Sequence, residues 1–372
     1  MLIEARRSSP SSVVPAEPKR QGASGVVLGL LLVVVLLVAA FVALSPDAES
    51  GLRSAEQSAS SFLSSIFGGL GITARPPLNY TIYSPLIGNG SAKISYPPDY
   101  DTLAAYALSL INQDRPGLQA VSLSPNPVAQ QHANSMLRYG YFSHYDTQGY
   151  SPYMRYSLLG GKGAVGENVA YDRASGPIFY TTSEVEGAIR TLEYQMMNND
   201  SQCCNNGHRI NILNPLHNRV SIGVAYDGTV VYFVEDFENY YIALTISVSS
   251  TYDVSIAGTT LQAFTAPKAV YITYDSPPTA ETPAQLNAGP HEYGPGTLTG
   301  GVLQPCSFGC PSFQSGITVY ADTWKFTSTQ DALAFSLHDF IQHYGAGVYT
   351  IYAVTGSDTG TAITSISVFV TG

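Results

Sequence analysis

Gly207-His208-Arg209-Ile210-Asn211-Ile212-Leu213-Asn214-Pro215 is the stretch on which the reading of this chain turns. It sets a histidine at the head of a short apolar turn and ends it with Asn-Pro, because the residue before a proline is pushed out of the helical region. Two related stretches precede it: Ala133-Asn134-Ser135-Met136-Leu137-Arg138-Tyr139-Gly140-Tyr141-Phe142-Ser143-His144, and Gly166-Glu167-Asn168-Val169-Ala170. A strand pair closing on Glu235-Asp236-Phe237 follows it. His144 and His208 are 64 residues apart, so spacing alone identifies no metal centre, and each taken singly reads as a structural histidine.

Periodicity supplies the framework around these stretches. Residues 101–113 place Leu103, Tyr106, Ala107, Leu110 and Ile111 on one helical face, with Asp101 as the expected N-cap. A second helix runs from Ser124-Pro125 to about Tyr139, with Gly140 as its C-cap. Residues 184–198 form a third and 208–213 a short fourth. Strands 220–226 and 230–234 flank Asp227-Gly228, a hairpin signal. Helices around a small antiparallel sheet make an α+β domain over residues 99–240.

In this order and spacing, the segments resemble the CAP superfamily (SCP/Tpx-1/allergen V5/PR-1), in its secreted prokaryotic branch, over about residues 100–238. The resemblance implies an α-β-α sandwich with a cleft lined by two histidines and two acids. Carried over by motif, these are His144, His208 and Glu167. The fourth member lies in the family on the helix before the second histidine motif, in a Trp-Tyr-x-Glu context. That Trp is missing here, and Glu193 in Leu192-Glu193-Tyr194 is the nearest counterpart, with Glu186 as the alternative. Neutral imidazoles bind Zn²⁺ or another divalent cation, and carboxylates complete or orient such a site. His132, on the apolar face of its helix, is expected to be a packed core residue. No organic cofactor is expected: the chain has neither a phosphate loop nor a dinucleotide fingerprint.

Beyond Tyr240 the helical signal fades. Residues 242–248, 269–274, 317–326, 333–340, 348–354 and 362–370 read as strands, so residues 241–372 are expected to form an all-β, sandwich-like domain. The four cysteines are Cys203, Cys204, Cys306 and Cys310. Neighbouring cysteines pair only through a strained ring, so a bond from Cys203 or Cys204 to Cys306 or Cys310 is expected to staple the two domains. A local Cys306–Cys310 link is the alternative.

The N-terminus addresses the compartment. Val26 to Leu44 carries no charge over 19 residues, about 28 Å as a helix and close to the thickness of a bilayer's hydrocarbon core. It reads as an uncleaved signal-anchor of residues 26–45, with a cleaved signal peptide as the alternative. Four basic residues against two acidic ones before Gly25 keep the flank, residues 1–25, cytoplasmic. The remaining chain then faces outward through a stalk of residues 46–98, and Asn79, Asn89 and Asn199 stand in glycosylation sequons. The net charge of −10 argues against a nucleic-acid partner. These readings favour a single-pass membrane protein whose outer part is a metal- and ligand-binding module rather than an enzyme. A metal-dependent hydrolase of envelope peptides or glycans is one alternative. A surface interaction or adhesion protein with a vestigial cleft, meeting an unknown surface partner, is the other.

Overall fold

The computed structural model describes residues 78–83, 94–174, 180–290 and 292–372. The Val26–Leu44 run, Asn89 and His291 lie outside the described residues. Among the described residues no helix is long and apolar enough to cross a membrane.

In chain order the first half contains β1 (Thr81–Tyr83), α1 (Tyr100–Asp114), β2 (Ser122–Leu123), α2 (Val128–Tyr139), α3 (Pro152–Leu158), β3 (Ala164–Arg173), α4 (Thr182–Asn198), α5 (Ser201–Cys204), α6 (Gly207–Ile212), β4 (Arg219–Tyr226) and β5 (Val230–Asn239). The sheet order is β2-β4-β5-β3. Period-two alternation in the strands divides their side chains between two helical layers. Val220, Ile222 and Val224 join Leu103, Ala107 and Ile111 of α1 and Val185, Ile189, Leu192 and Met196 of α4. On the opposite face Ala225, Val230, Tyr232 and Val234 meet Ala129, Ala133 and Met136 of α2. At Gly223 the α2 backbone comes so close that an added Cβ would stand 2.1 Å from the Ala129 oxygen, so only glycine fits. The Gln130 side chain bonds the backbone N–H and carbonyl of Val224 beside that contact.

Helix ends follow local chemistry. Thr181 and Glu184 form a reciprocal capping box on α4. Gly140 closes α2 in the left-handed conformation, φ 70°. On α1 the N-cap is Asp99 rather than Asp101, which falls in the first turn. Asp99 makes no side-chain cap; its Oδ1 accepts from Tyr226 Oη instead, at 2.8 Å.

The second half adds β6 (Ile242–Val248), β7 (Asp253–Thr260), β8 (Ala269–Asp275), α7 (Pro283–Ala288), β9 (Thr297–Leu303), β10 (Ile317–Tyr320), β11 (Thr323–Phe326), β12 (Gln330–Ser336), α8 (His338–Tyr344), β13 (Gly347–Val354) and β14 (Ala362–Thr371). Six strands run β1-β14-β13-β8-β9-β10 and four run β11-β12-β7-β6. Both sheets contribute to one apolar core: Val254, Leu333 and Phe335 from the smaller, and Val270, Ile272, Val302, Ile351, Ile366 and Val368 from the larger. The expected strand 317–326 is two strands in different sheets, because the chain crosses between sheets at Ala321-Asp322. The expected strand 333–340 stops at Ser336, and Phe340 and Ile341 are buried from helix α8 instead.

Residues 78–83, which fall within the expected stalk between Pro76-Pro77 and Pro85, add an edge strand to this β region: Thr81 pairs with Thr371 and Tyr83 with Phe369. Tyr252 Oη donates to the Leu78 and Tyr80 carbonyls, at 2.8 and 2.9 Å. The α/β domain is therefore inserted between the first strand of the β region and the rest of it. The expected staple between the domains is corrected. Cys306 is bonded to Cys310 with a Cα–Cα distance of 5.6 Å, because a turn through Gly309 brings the two close enough. Closing so short a loop constrains the unfolded chain far less than a staple between domains would.

Candidate functional site

Glu167 lies on β3, directly across from Asp236 on β5. Arg155 of α3 donates from Nη2 to Glu167 Oε2 at 2.6 Å, and from Nη1 to the His144 and Tyr150 carbonyls at 2.7 Å each. Glu167 Oε1 stands 2.9 Å from His144 Nδ1. Burial alone would raise the Glu167 pKa, but Arg155, His132 and His144 outweigh it and hold the carboxyl well below its ordinary value. Asp236 moves the other way: burial, then the facing Glu167, push it well above. The two facing carboxyls are thus biased in opposite directions, Glu167 toward the ionised form and Asp236 toward the neutral one.

His132 is buried behind Glu167 and donates from Nε2 to the Ser143 carbonyl at 2.8 Å. Burial lowers its pKa to about 3, so it stays neutral and braces the loop that carries His144.

His208 opens α6, and its Nδ1 lies 2.6 Å from Asp200 Oδ1. Asp200 Oδ2 accepts from the backbone N–H groups of His208 and Arg209, at 2.9 and 3.2 Å. Asp200 is itself buried. Each site imidazole is thus aimed through Nδ1 by a buried carboxylate, Glu167 for His144 and Asp200 for His208, which leaves Nε2 for other partners.

Two adjoining cavities, of about 520 and 480 Å³, meet at these residues, and His144, His208 and Cys204 line both. The larger also takes Tyr153, Glu167, Asn211 and Tyr293; the other is walled by Phe142, Tyr171, Leu192 and Met196.

Asn168 ties the motifs together. Its Nδ2 donates to Glu235 Oε2 at 3.1 Å and to the His208 carbonyl at 3.3 Å, and its Oδ1 accepts from Asn211 Nδ2 at 3.0 Å. Gly166 leaves room for this brace, since an added Cβ would stand 2.5 Å from Asn211 Oδ1.

Glu193 is placed elsewhere. It is buried on α4, lines neither cavity, and faces Glu235 and Asp114. Glu186 is half-buried and also off the cavities. The acid beside His208 is Asp200, eight residues upstream. Its signal in the sequence was an acidic residue just ahead of a short helix, whose first N–H groups need acceptors. Arg155 was signalled only by a charge inside the apolar run Tyr153-Met154-Arg155-Tyr156, and Tyr293 not at all.

Asp200, Cys204 and His208 bring one ligand atom each within 4.8 Å of one another. Cys204 is disulfide-bonded, so its sulfur is not a thiolate donor. That leaves the Asp200 carboxylate and the His208 imidazole as the donors of this group in the oxidised chain. Imidazole nitrogens and carboxylate oxygens are donor types that a divalent ion accepts. Of the sequon asparagines, Asn79 and Asn199 are exposed.

Residues 108–237 match the CAP family, described as the Cysteine-rich secretory protein family. A crystal structure of an extracellular protein containing a SCP domain, from Bacillus anthracis str. Ames, is similar at 20% identity and a TM-score of 0.29, over 39% of this chain and 44% of that one. The chain thus spans under half the length of that relative. No curated protein matches the chain in sequence. The ordered motifs, the three-layer fold that carries them and the family match agree: residues 108–237 of this chain belong to a CAP-superfamily domain.

Proposed function

We propose that this protein is an extracytoplasmic binding module whose cleft holds a divalent cation, with Zn²⁺ the best match, through Nε2 of His144 and Nε2 of His208. The observation that carries this reading is the paired orientation of the two rings on shared cavity walls, His144 by Glu167 and His208 by Asp200. A bound cation would supply a Lewis-acidic point for an oxygen- or nitrogen-bearing ligand in the adjoining cavities.

Calorimetric titration of Zn²⁺ into the purified full chain tests this. His144→Ala and His208→Ala are each expected to weaken binding by about 100-fold or more, since each removes one of two nitrogen donors. Asp200→Asn should weaken it about 10- to 100-fold by loosening the His208 ring. His132→Ala should leave affinity unchanged while lowering stability. Normal Zn²⁺ binding by the His144→Ala/His208→Ala double variant would reject the site.

We also propose that residues 26–45 anchor the protein in the cell membrane, with residues 1–25 inside and the described residues outside. The uncharged run and its basic flank support this. Protease added to intact cells is expected to remove the outer region and leave a short membrane-bound fragment. Protection of His144-containing peptides in intact cells would overturn the orientation.

A further inference from the structure

The connection between β8 and β9, residues 276–296, is 21 residues long, where hairpin loops usually take 2–5. It leaves the β region and follows the loop that carries His144. The Glu281 N–H donates to the Thr147 carbonyl at 3.1 Å. Thr282 and Gln285 cap α7 reciprocally. Leu286 of that helix is buried in the α2 core. Asn287 Oδ1 accepts from the Phe142 N–H at 2.8 Å, and its Nδ2 donates to the Gly140 carbonyl at 3.3 Å. These contacts bracket His144 on both sides in sequence.

The segment then brings Tyr293 to the site itself. The ring centroid lies 4.7 Å from that of His144, and Tyr293 Oη accepts from the Glu167 N–H at 2.7 Å. The reason lies in the sheet order. β3 is an edge strand, so alternate N–H and C=O groups on its outer side find no partner within its own sheet. The β region supplies partners for them. Ser365 N–H donates to the Gly163 carbonyl at 3.0 Å, Ser365 Oγ accepts from the Val165 N–H at 3.2 Å, and Tyr293 serves Glu167. Glu292, Tyr293, Pro295, Tyr352 and Thr359 of the β region line the larger cavity opposite the CAP motifs.

We propose that Tyr293 is a positioning residue for the His144–Glu167 pair, and that the β region is therefore a built half of the cleft rather than an independent module. Its hydroxyl fixes the height of Glu167 on the sheet edge, and its ring limits the tilt of His144. The positioning claim does not depend on metal; only its effect on affinity rests on the function proposed above.

The test uses the metal-free full chain labelled with ¹⁵N, followed by Zn²⁺ titration. Tyr293→Phe keeps the ring and removes the acceptor, so the Glu167 amide proton should exchange with solvent faster than in the parent while the fold persists. Tyr293→Ala removes both contacts and should shift the His144 ring nitrogen signals. Zn²⁺ affinity should fall about tenfold in Tyr293→Ala and less in Tyr293→Phe. Unchanged Glu167 exchange in Tyr293→Phe, or unchanged His144 signals in a folded Tyr293→Ala, overturns the proposal. If the signals move as expected while the parent protein itself binds no Zn²⁺, the positioning role stands and the metal reading falls.

Discussion

Replacing Arg155 by Met should destabilise the protein by about 3–5 kcal/mol at neutral pH, the range expected when one partner of a buried ion pair is removed. Arg155 is almost fully buried and holds three groups at once: Glu167, the His144 carbonyl and the Tyr150 carbonyl. Met fills much of the volume but offers no donors, so Glu167 is left as a buried charge without its guanidinium partner. The pH dependence identifies the cause. In the parent chain the folded-state pKa of Glu167 is depressed, so it contributes stability above its unfolded value of about 4.3 that is lost as pH falls through the folded value. The variant lacks that contribution. Its deficit should be largest near pH 7 and narrow in acid as Glu167 takes up a proton. Urea unfolding at pH 7 and pH 4 measures both; a loss below about 1 kcal/mol at pH 7 would contradict the role given to Arg155.

Glu193→Gln should act in the opposite direction and stabilise the protein above neutrality by about 1–3 kcal/mol, the usual cost of a buried polar group lacking its bond. Glu193 is raised well above its ordinary range by burial and then by Glu235, and burial lifts Glu235 to about 7. The folded chain therefore retains protons here that the unfolded chain releases above about pH 4.3. The sign follows: stability from this pair is full below that pH and is lost as pH rises through about 7. A glutamine amide donates to Glu235 with no proton to lose, so the variant escapes the loss. Below about pH 4 Glu193 is protonated in both states and the two proteins should converge. Equal stability of parent and variant at pH 8 would show that the Glu193–Glu235 pair does not share a proton.

Both predictions rest on charged groups inside the sheet, and this is where the sequence was hardest to read. β5 was foreseen only to Val234, yet it continues to Asn239 with every residue buried. Glu235, Asp236 and Glu238 hid it, because a pattern search scores an acid as solvent-exposed and these are kept inside by carboxyl pairing and hydrogen bonds. β3 was visible only as a motif for the same reason. Two of the strands missed in the β region, β7 and β9, are rich in Ser, Thr and Gly, so their alternation is faint.

The sequence by itself determined the α/β domain and its family motifs. The 3.6-residue spacing in α1, α2 and α4, the Asp227-Gly228 hairpin and the three ordered motifs are all local, and local signals survive in one dimension. Tertiary structure alone decided what completes the site. Asp200 aims His208, Arg155 holds Glu167 charged, and Tyr293 reaches Glu167 from 126 residues away. It also decided that Glu193 belongs to a buried acid pair and that Cys306 closes on Cys310. Hydrogen-bond partners and burial depend on which backbones meet across the sheet edge, and no periodicity in the chain encodes that meeting.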